Sequence, residues 1–346
     1  MVNKHLLRGV GYLFEKISKV KIVITTIFPP SPAVKKFSGL SGYDLIVVGD
    51  KKTPPDWEVQ NSDFVKWDDH RFKGFPLADL IPFNHYARKN IGYVLAMRQG
   101  AQAIIDTDDD NFPLDGFGFP PLVFSGETSG PGLGFVNVYK QFTSQKIWPR
   151  GLPVREILSK ENDFRSHIAT SDIGVWQGLA NGDPDVDAIY RLTDNSDCIF
   201  VERDPLVLDD GTWSPFNSQN TLFRRELFPL LYLPVTVSFR FTDILRSFVA
   251  QPIMWAGGYR LGFTSPTVFQ DRNPHNHLAD LVSEFPMYEN SEKLPELLEG
   301  AFSPSDSLLS ALIKSYAVLE KNRVVTVDEL ACLDAWVEEC SSHGFY

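Results

Sequence analysis

The sequence predicts an α/β fold: a mixed, mostly parallel sheet flanked by helices, with a helical extension at the C-terminus. Three observations predict it. The chain opens as strand, helix, strand, in "KIVITTIFPP" (21–30), "SPAVKKFSGLSG" and "YDLIVVGD" (43–50). A helical stretch, "HYARKNIGYVLAMRQG" (85–100), then leads into a further apolar strand, "AQAIID". After about residue 290 the pattern is helical and acidic, as in "SLLSALIKSYAVLEKN".

Each element has a local cause. The first strand is a continuous apolar run stopped by Pro29-Pro30, as a strand buried on both faces should be. Ile91, Val94, Leu95 and Arg98 recur at helical spacing, and Gly100 suits the end of that helix. Residues 115–135 are rich in Gly, Pro and Phe and predict an irregular, exposed segment. "FVNVYKQF" (135–142) predicts a strand, and "SDIGVWQGLANGDPDVDAIYRL" (171–192) two helical ends around the breaker Asn181-Gly182-Asp183-Pro184. "GTWSPFNSQNTLFRREL" (211–227) reads as loop, short strand and helix start. "FTDILRSFVAQPIMWAGGY" (241–259) reads as a helix that Pro252 kinks or divides. The expected organisation is an N-terminal helix over 1–20, a catalytic domain over 21–288, and a helical extension over 289–346 packed on the core.

The totals narrow the class. The chain has 346 residues, 43% hydrophobic and 22% charged, with a net charge of -11. That is ordinary globular composition, and the acidity argues against a nucleic-acid partner. Three dispersed cysteines argue against a disulfide framework or structural zinc site and fit a reducing compartment. No apolar run reaches the ~18–20 residues of a membrane span. "MVNKHLLRGVGYLFEKISKV" is basic and amphipathic without a signal-peptide core, so a surface helix is expected, peripheral contact with a membrane being the sharper alternative. Localisation is expected to be cytoplasmic.

The chemistry gathers at predicted strand ends, beyond which ligands bind in open α/β sheets. In "AIIDTDDDNFP" (103–113), four of the five residues from Asp106 to Asp110 are aspartates. A calcium loop fails on spacing: counting from Asp106, the sixth position is Asn111 instead of Gly and the twelfth is Phe117 instead of Glu. An acidic turn remains open, beside a cation site at Asp108, Asp109 and Asp110 that keeps positions for phosphate. Asp106, further back, supports the site or binds ribose. Asp50 ends the second strand as a turn residue or a nucleoside contact. Lys51, Arg88 and Lys89 flank these ends and suit a pyrophosphate. Asp183, Asp185 and Asp187 in "NGDPDVDA", and Asn217, Ser218, Gln219 and Asn220 in "PFNSQN", offer what sugar hydroxyls need. Arg240, Asp243 and Arg246 surround a helix start, Asp243 as a cap or as a base above a sugar. "DRNPHNH" supplies His275 and His277, the latter a candidate further metal ligand. Walker A, dinucleotide, G-x-S-x-G and H-E-x-x-H motifs are absent.

"VITTIFPP", "VVGDKKTPPDW", "YARKNIGYVLAMRQGAQAIIDTDDDN", "GLANGDPDVDAIYRLT" and "PFNSQNTLFRRELFPLLYLPVTVSFRFTDILRSFVAQPIMW", in that order over most of residues 21–270, resemble the STELLO family of probable glycosyltransferases. A weaker likeness, in Asp108-Asp109-Asp110, "PDVDA" and "QNTLFRREL", links the chain to the reversibly glycosylated polypeptides, which are UDP-arabinopyranose mutases. The resemblance implies a GT-A-type (Rossmann-like) fold, a UDP- or GDP-linked sugar donor, a glycan or glycoconjugate acceptor, and a manganese or magnesium ion. Asp108 to Asp110 become the cation and diphosphate site, Thr25, Thr26 and Asp50 the nucleoside site, and Asn220 and Asp243 face the sugar or acceptor. The plant members carry an N-terminal membrane anchor that this sequence lacks, so their residence is not expected here. A metal-dependent glycosyltransferase is the leading expectation. A nucleotide-sugar mutase or self-glycosylating protein is the alternative, and a non-catalytic scaffold that keeps the fold is a second.

Overall fold

The computed structural model describes residues 19–158, 164–271 and 276–346. The helix expected over 1–20, apart from its last two positions, lies outside the described residues, as does His275. The chain opens with β1 (Val20–Thr26), α1 (Pro32–Ser38), β2 (Tyr43–Gly49), β3 (Ser62–Val65), α2 (Pro76–Leu80), α3 (Lys89–Arg98) and β4 (Ala103–Thr107). There follow β5 (Asn111–Pro113), β6 (Val123–Ser129), β7 (Gly134–Phe135), α4 (Val154–Ile157), β8 (Ser166–Gly182), α5 (Ala188–Thr193), β9 (Leu206–Leu208), β10 (Thr212–Trp213) and β11 (Asn220–Arg224). The chain ends with α6 (Thr242–Ala256), β12 (Tyr259–Gln270), α7 (His277–Asn290), α8 (Leu294–Leu298), α9 (Leu308–Lys321) and α10 (Asp328–Ser342).

Among the described residues one ten-stranded sheet runs in the order β3-β2-β1-β4-β11-β8-β6-β9-β12-β5. The expected mixed α/β sheet is present. Its parallel run is the N-terminal half, β3, β2, β1 and β4. Beyond it, β11 is antiparallel to β4 and β8, while β8 and β12 are parallel to one another. Parallel pairing is thus continuous only across β3, β2, β1 and β4.

Alternation sends side chains to two cores. Val23, Ile46, Val48 and Ile104 face one, shared with α3, α6, α9 and α10. Ile22, Ile24, Val47 and Ile105 face the other, under Phe37, Phe117 and Trp176. On α1, Ser31 accepts from the Val34 amide at 3.1 Å and Pro32 takes the first helical position. α3 lies so close to the sheet that a Cβ at Gly92 would fall 2.5 Å from Val23 and 2.8 Å from Val48. The C-terminal helices share the first core: Trp336 of α10 is fully buried, and its indole donates to the Pro229 carbonyl at 2.9 Å. No helix among the described residues is long and apolar enough to cross a membrane.

Three expectations are corrected. Residues 171–182 belong to β8 rather than a helix; the run is buried on both faces, which removes the period-two signal, and only the helical end at α5 forms. "FVNVYKQF" is a strand only at Phe135; a 3₁₀ turn at Val138–Gln141 follows, driving Tyr139 and Phe142 into the core. Part of the segment taken as irregular is β6, which pairs with β8 and β9. Pro252 lies inside α6 without dividing it.

Candidate active site

The topology brings one edge of the sheet together. The carboxyl ends of β1, β2, β4, β8 and β12 and the amino end of β11 all lie along it. A cavity of about 370 Å³ opens there. Its lining includes Thr25 and Thr26 at the end of β1, Asp50 after β2, Asp108, Asp109 and Asp110 after β4, and Asp185 after β8. Gln219 precedes β11, Gln270 ends β12, and Arg240 and Asp243 come from the start of α6.

The aspartates sit over a buried cationic layer. Asp106 is fully buried and paired with Lys89 at 2.6 Å and Arg246 at 2.8 Å. Asp108 Oδ1 accepts from the Tyr86 hydroxyl at 2.7 Å and from Lys89 at 3.2 Å. Asp109 accepts from the Thr26 hydroxyl, and its carbonyl accepts from Ser31 at 2.5 Å. Asp110 Oδ1 accepts from Gln270 at 3.1 Å. Burial pushes the carboxyl of Asp108 up to about 6 against the pull of Lys89, with the charge of Asp110 adding to the rise. Burial likewise pushes Asp109 up to about 6, opposed by the Thr26 hydrogen bond. Burial opposes the charge on Lys89, but Asp106 and Asp108 outweigh it and lift its affinity for the proton. Among the described residues, no three carboxylate, imidazole or thiol groups already converge as a ligand set. Asp108, Asp109 and Asp110 each engage a protein donor instead.

The opposite wall is a second ion-paired group. Arg150 Nε donates to Asp185 Oδ1 at 2.8 Å, and Nη2 donates to Asp243 Oδ2 and Oδ1 at 2.8 and 3.0 Å. The amides of Ser218 and Ile244 also donate to Asp243, at 3.0 and 3.1 Å. Arg240 Nη1 lies 3.9 Å from Asp185. Asp50 accepts from the amides of Lys51 and Asn84, each at 2.6 Å. Burial pushes the His85 imidazole below its ordinary range, outweighing its bond to Val237 and the charge of Asp50. Ile27, Phe28 and Phe239 are 39%, 45% and 51% exposed, giving the lining an apolar share.

Several candidates do not line the cavity. Lys51 turns outward over the Phe83 ring, 3.7 Å from its centroid. Arg88 is buried and donates to the Ala78 carbonyl at 3.1 Å. Lys89, Asp106 and Arg246 lie behind the aspartates; Arg246 meets Asp106 and Ser218 rather than any open space. Asp183 pairs with Arg191. Asn220 is fully buried and donates to Thr267 at 2.6 Å, because β11 begins at this residue and Gln219 before it takes the cavity side. His277 begins α7, 3.9 Å from Asp280. In return the cavity gains Tyr86, Arg150, Gln270 and Phe239, for which no sequence signal stood out.

Residues 240–346 match the family model of STELLO glycosyltransferases, a span that starts at Arg240 and includes Asp243. The chain is 27% identical over 352 residues to "Probable glycosyltransferase STELLO1" of Arabidopsis thaliana, covering 94% of this chain and 44% of that protein. It is 29% identical over 293 residues to "Probable glycosyltransferase STELLO2" of the same plant, covering 78% of this chain and 37% of that one. The chain thus spans less than half the length of these relatives, and the resemblance read from its sequence blocks extends over most of it.

Proposed function

We propose that this cavity is the active site of a glycosyltransferase that takes a sugar from a UDP- or GDP-linked donor to a hydroxyl acceptor, with a divalent cation. One observation carries the reading. Among the described residues, six carboxylates (Asp50, Asp108, Asp109, Asp110, Asp185 and Asp243) share the lining with two guanidinium groups, those of Arg150 and Arg240. A diphosphate would be repelled from such a wall, whereas a hard cation suits its all-oxygen donors. The carboxyls of Asp108 and Asp109 are raised chiefly by burial, with neighbouring aspartates adding to the rise, and a bound cation would offset that cost.

Asp108, Asp109 and Asp110 would hold manganese or magnesium. When bound, the ion would neutralise charge developing on the diphosphate leaving group. Thr25, Thr26 and Asp50 border the nucleoside end of the cavity. Asp185, Gln219, Arg240 and Asp243 supply fixed donors and acceptors for sugar hydroxyls. The wall of Ile27, Phe28 and Phe239 suits the apolar faces of a base or sugar ring and keeps water from them.

A thermal-shift panel of UDP- and GDP-sugars with manganese, magnesium or chelator tests this. At least one nucleotide sugar should raise the melting temperature, and only with a cation. No shift from any member with either metal would overturn the reading. Ring-form interconversion of a donor without acceptor would replace the transferase with a mutase.

A further inference from the structure

Two chain segments form the polar wall, residues 183–188 with Asp185 and residues 238–243 with Arg240 and Asp243. They come from opposite sides of β11 in the sequence and need something to hold them in step. Glu284 of α7 meets both. Its side chain is fully buried and lies outside the cavity lining. Oε1 accepts from Arg240 Nε at 2.9 Å and lies 2.8 Å from Nη2. Oε2 accepts from the Ala188 amide, the first residue of α5, at 2.7 Å, and from the Tyr288 hydroxyl at 2.7 Å. The neighbouring Ser283 carbonyl accepts from Ser238 at 2.5 Å, and Arg240 Nη2 donates to the Val186 carbonyl at 3.1 Å.

We infer that Glu284 is a positioning residue of the sugar subsite, acting through Arg240 to fix the wall that Asp185, Arg150 and Asp243 complete; this rests on the glycosyltransferase reading above. A guanidinium held at two points by a buried carboxylate keeps one rotamer, so Arg240 is presented to the sugar at little cost in ordering. Without Glu284, Arg240 would turn toward Asp185, 3.9 Å away, and pull the wall out of register. The nucleoside end, built from Thr25, Thr26 and Asp50 across the cavity, would be untouched.

The test compares UDP-glucose with UDP, and GDP-mannose with GDP, by calorimetry in manganese. The proteins are the wild type, Glu284→Gln, Arg240→Ala, the double variant and Tyr288→Phe. Glu284→Gln should weaken the nucleotide sugar about tenfold and leave the nucleoside diphosphate within about twofold. In the Arg240→Ala background the same change should add nothing, since residues acting through one another are not additive. Tyr288→Phe, which removes only a hydroxyl from Oε2, should bind like wild type. Equal losses on both ligands, or additive losses, would reduce Glu284 to a packing role and overturn the inference. If Glu284→Gln does not fold, Glu284→Asp, with the charge kept and the arm shortened, carries the same comparison. Should the wild type bind nucleoside diphosphates but no sugar of the UDP and GDP panel, the functional reading falls and this inference with it. Sugar binding that ignores Glu284 overturns the inference alone.

Discussion

Arg150 donates from one guanidinium nitrogen to both oxygens of Asp243, at 2.8 and 3.0 Å. Two backbone amides complete the carboxylate's hydrogen bonding. These bonds fix the carboxylate beside Arg150 on the cavity wall.

Removing Asp243 leaves Arg150 buried with Asp185 as its one remaining carboxylate partner. Asp243→Ala should therefore destabilise the protein by about 3 kcal/mol, read by urea unfolding. It should abolish turnover of the donor yet leave nucleoside diphosphate binding nearly unchanged in calorimetry. Lost nucleotide binding would move Asp243 into the donor site.

Asp110→Asn keeps an oxygen for Gln270, so the fold should persist with an unchanged circular dichroism spectrum. Cation-dependent binding of UDP or GDP should weaken by about tenfold or more, since a charged ligand oxygen is lost. Wild-type binding that is the same with manganese and with chelator would remove the cation from the site.

Asp187 gives a pH signature. It caps α5 by accepting from Tyr190 at 2.9 Å and also accepts from the Trp148 indole at 2.8 Å. Burial pushes its carboxyl up to about 6, its hydrogen bonds opposing and Glu284 adding to the rise. From the ordinary carboxylate value near 3.8 to about 6, the folded chain binds more protons at this group than the unfolded chain. Its contribution to stability is thus present at low pH and is lost as pH climbs through about 6. Asp187→Asn should flatten the fall in unfolding free energy over that window. Asp108 and Asp109 slope the same way in both proteins and cancel in the difference. Parallel curves for variant and wild type would contradict the assignment.

Glu329 of α10 holds the other end of the 232–241 loop. Fully buried, it accepts from the Tyr232 hydroxyl at 2.6 Å, the Val235 amide at 3.0 Å, and the Thr236 amide and hydroxyl at 2.8 and 2.7 Å. Glu329→Ala should cost about 2–4 kcal/mol by stranding these donors. Glu329→Gln, which keeps one oxygen, should cost less. A urea midpoint that does not move in either would mean that packing alone holds the loop.

What was legible in the sequence is what a short window contains. β1, β2 and β4 each carry a short apolar run, so their ends, and with them Asp50 and Asp108 to Asp110, could be placed without a structure. The register of β11 was not legible, and it exchanges Asn220 for Gln219. Nor were the directions of Lys51 and Arg88, which aromatic and carbonyl partners draw away. Arg150 and Glu284 carry no local motif; Arg150 meets Asp243 across 93 positions, and Glu284 meets Ala188 across 96. β8 was misread because burial on both faces erases the alternation that betrays a strand.

Glu284, Arg240, Asp185, Arg150 and Asp243 alternate in sign along one buried line. Such a line resists drift. Neutralising any one member leaves a neighbour with charge to spare in a largely buried setting. Inherited change at these five positions should therefore arrive in opposite-signed pairs or not arrive. A lineage that swaps such a pair must first pass through an ancestor that folds poorly, which makes this wall a slow-moving part of the molecule while the surface around it is free to vary.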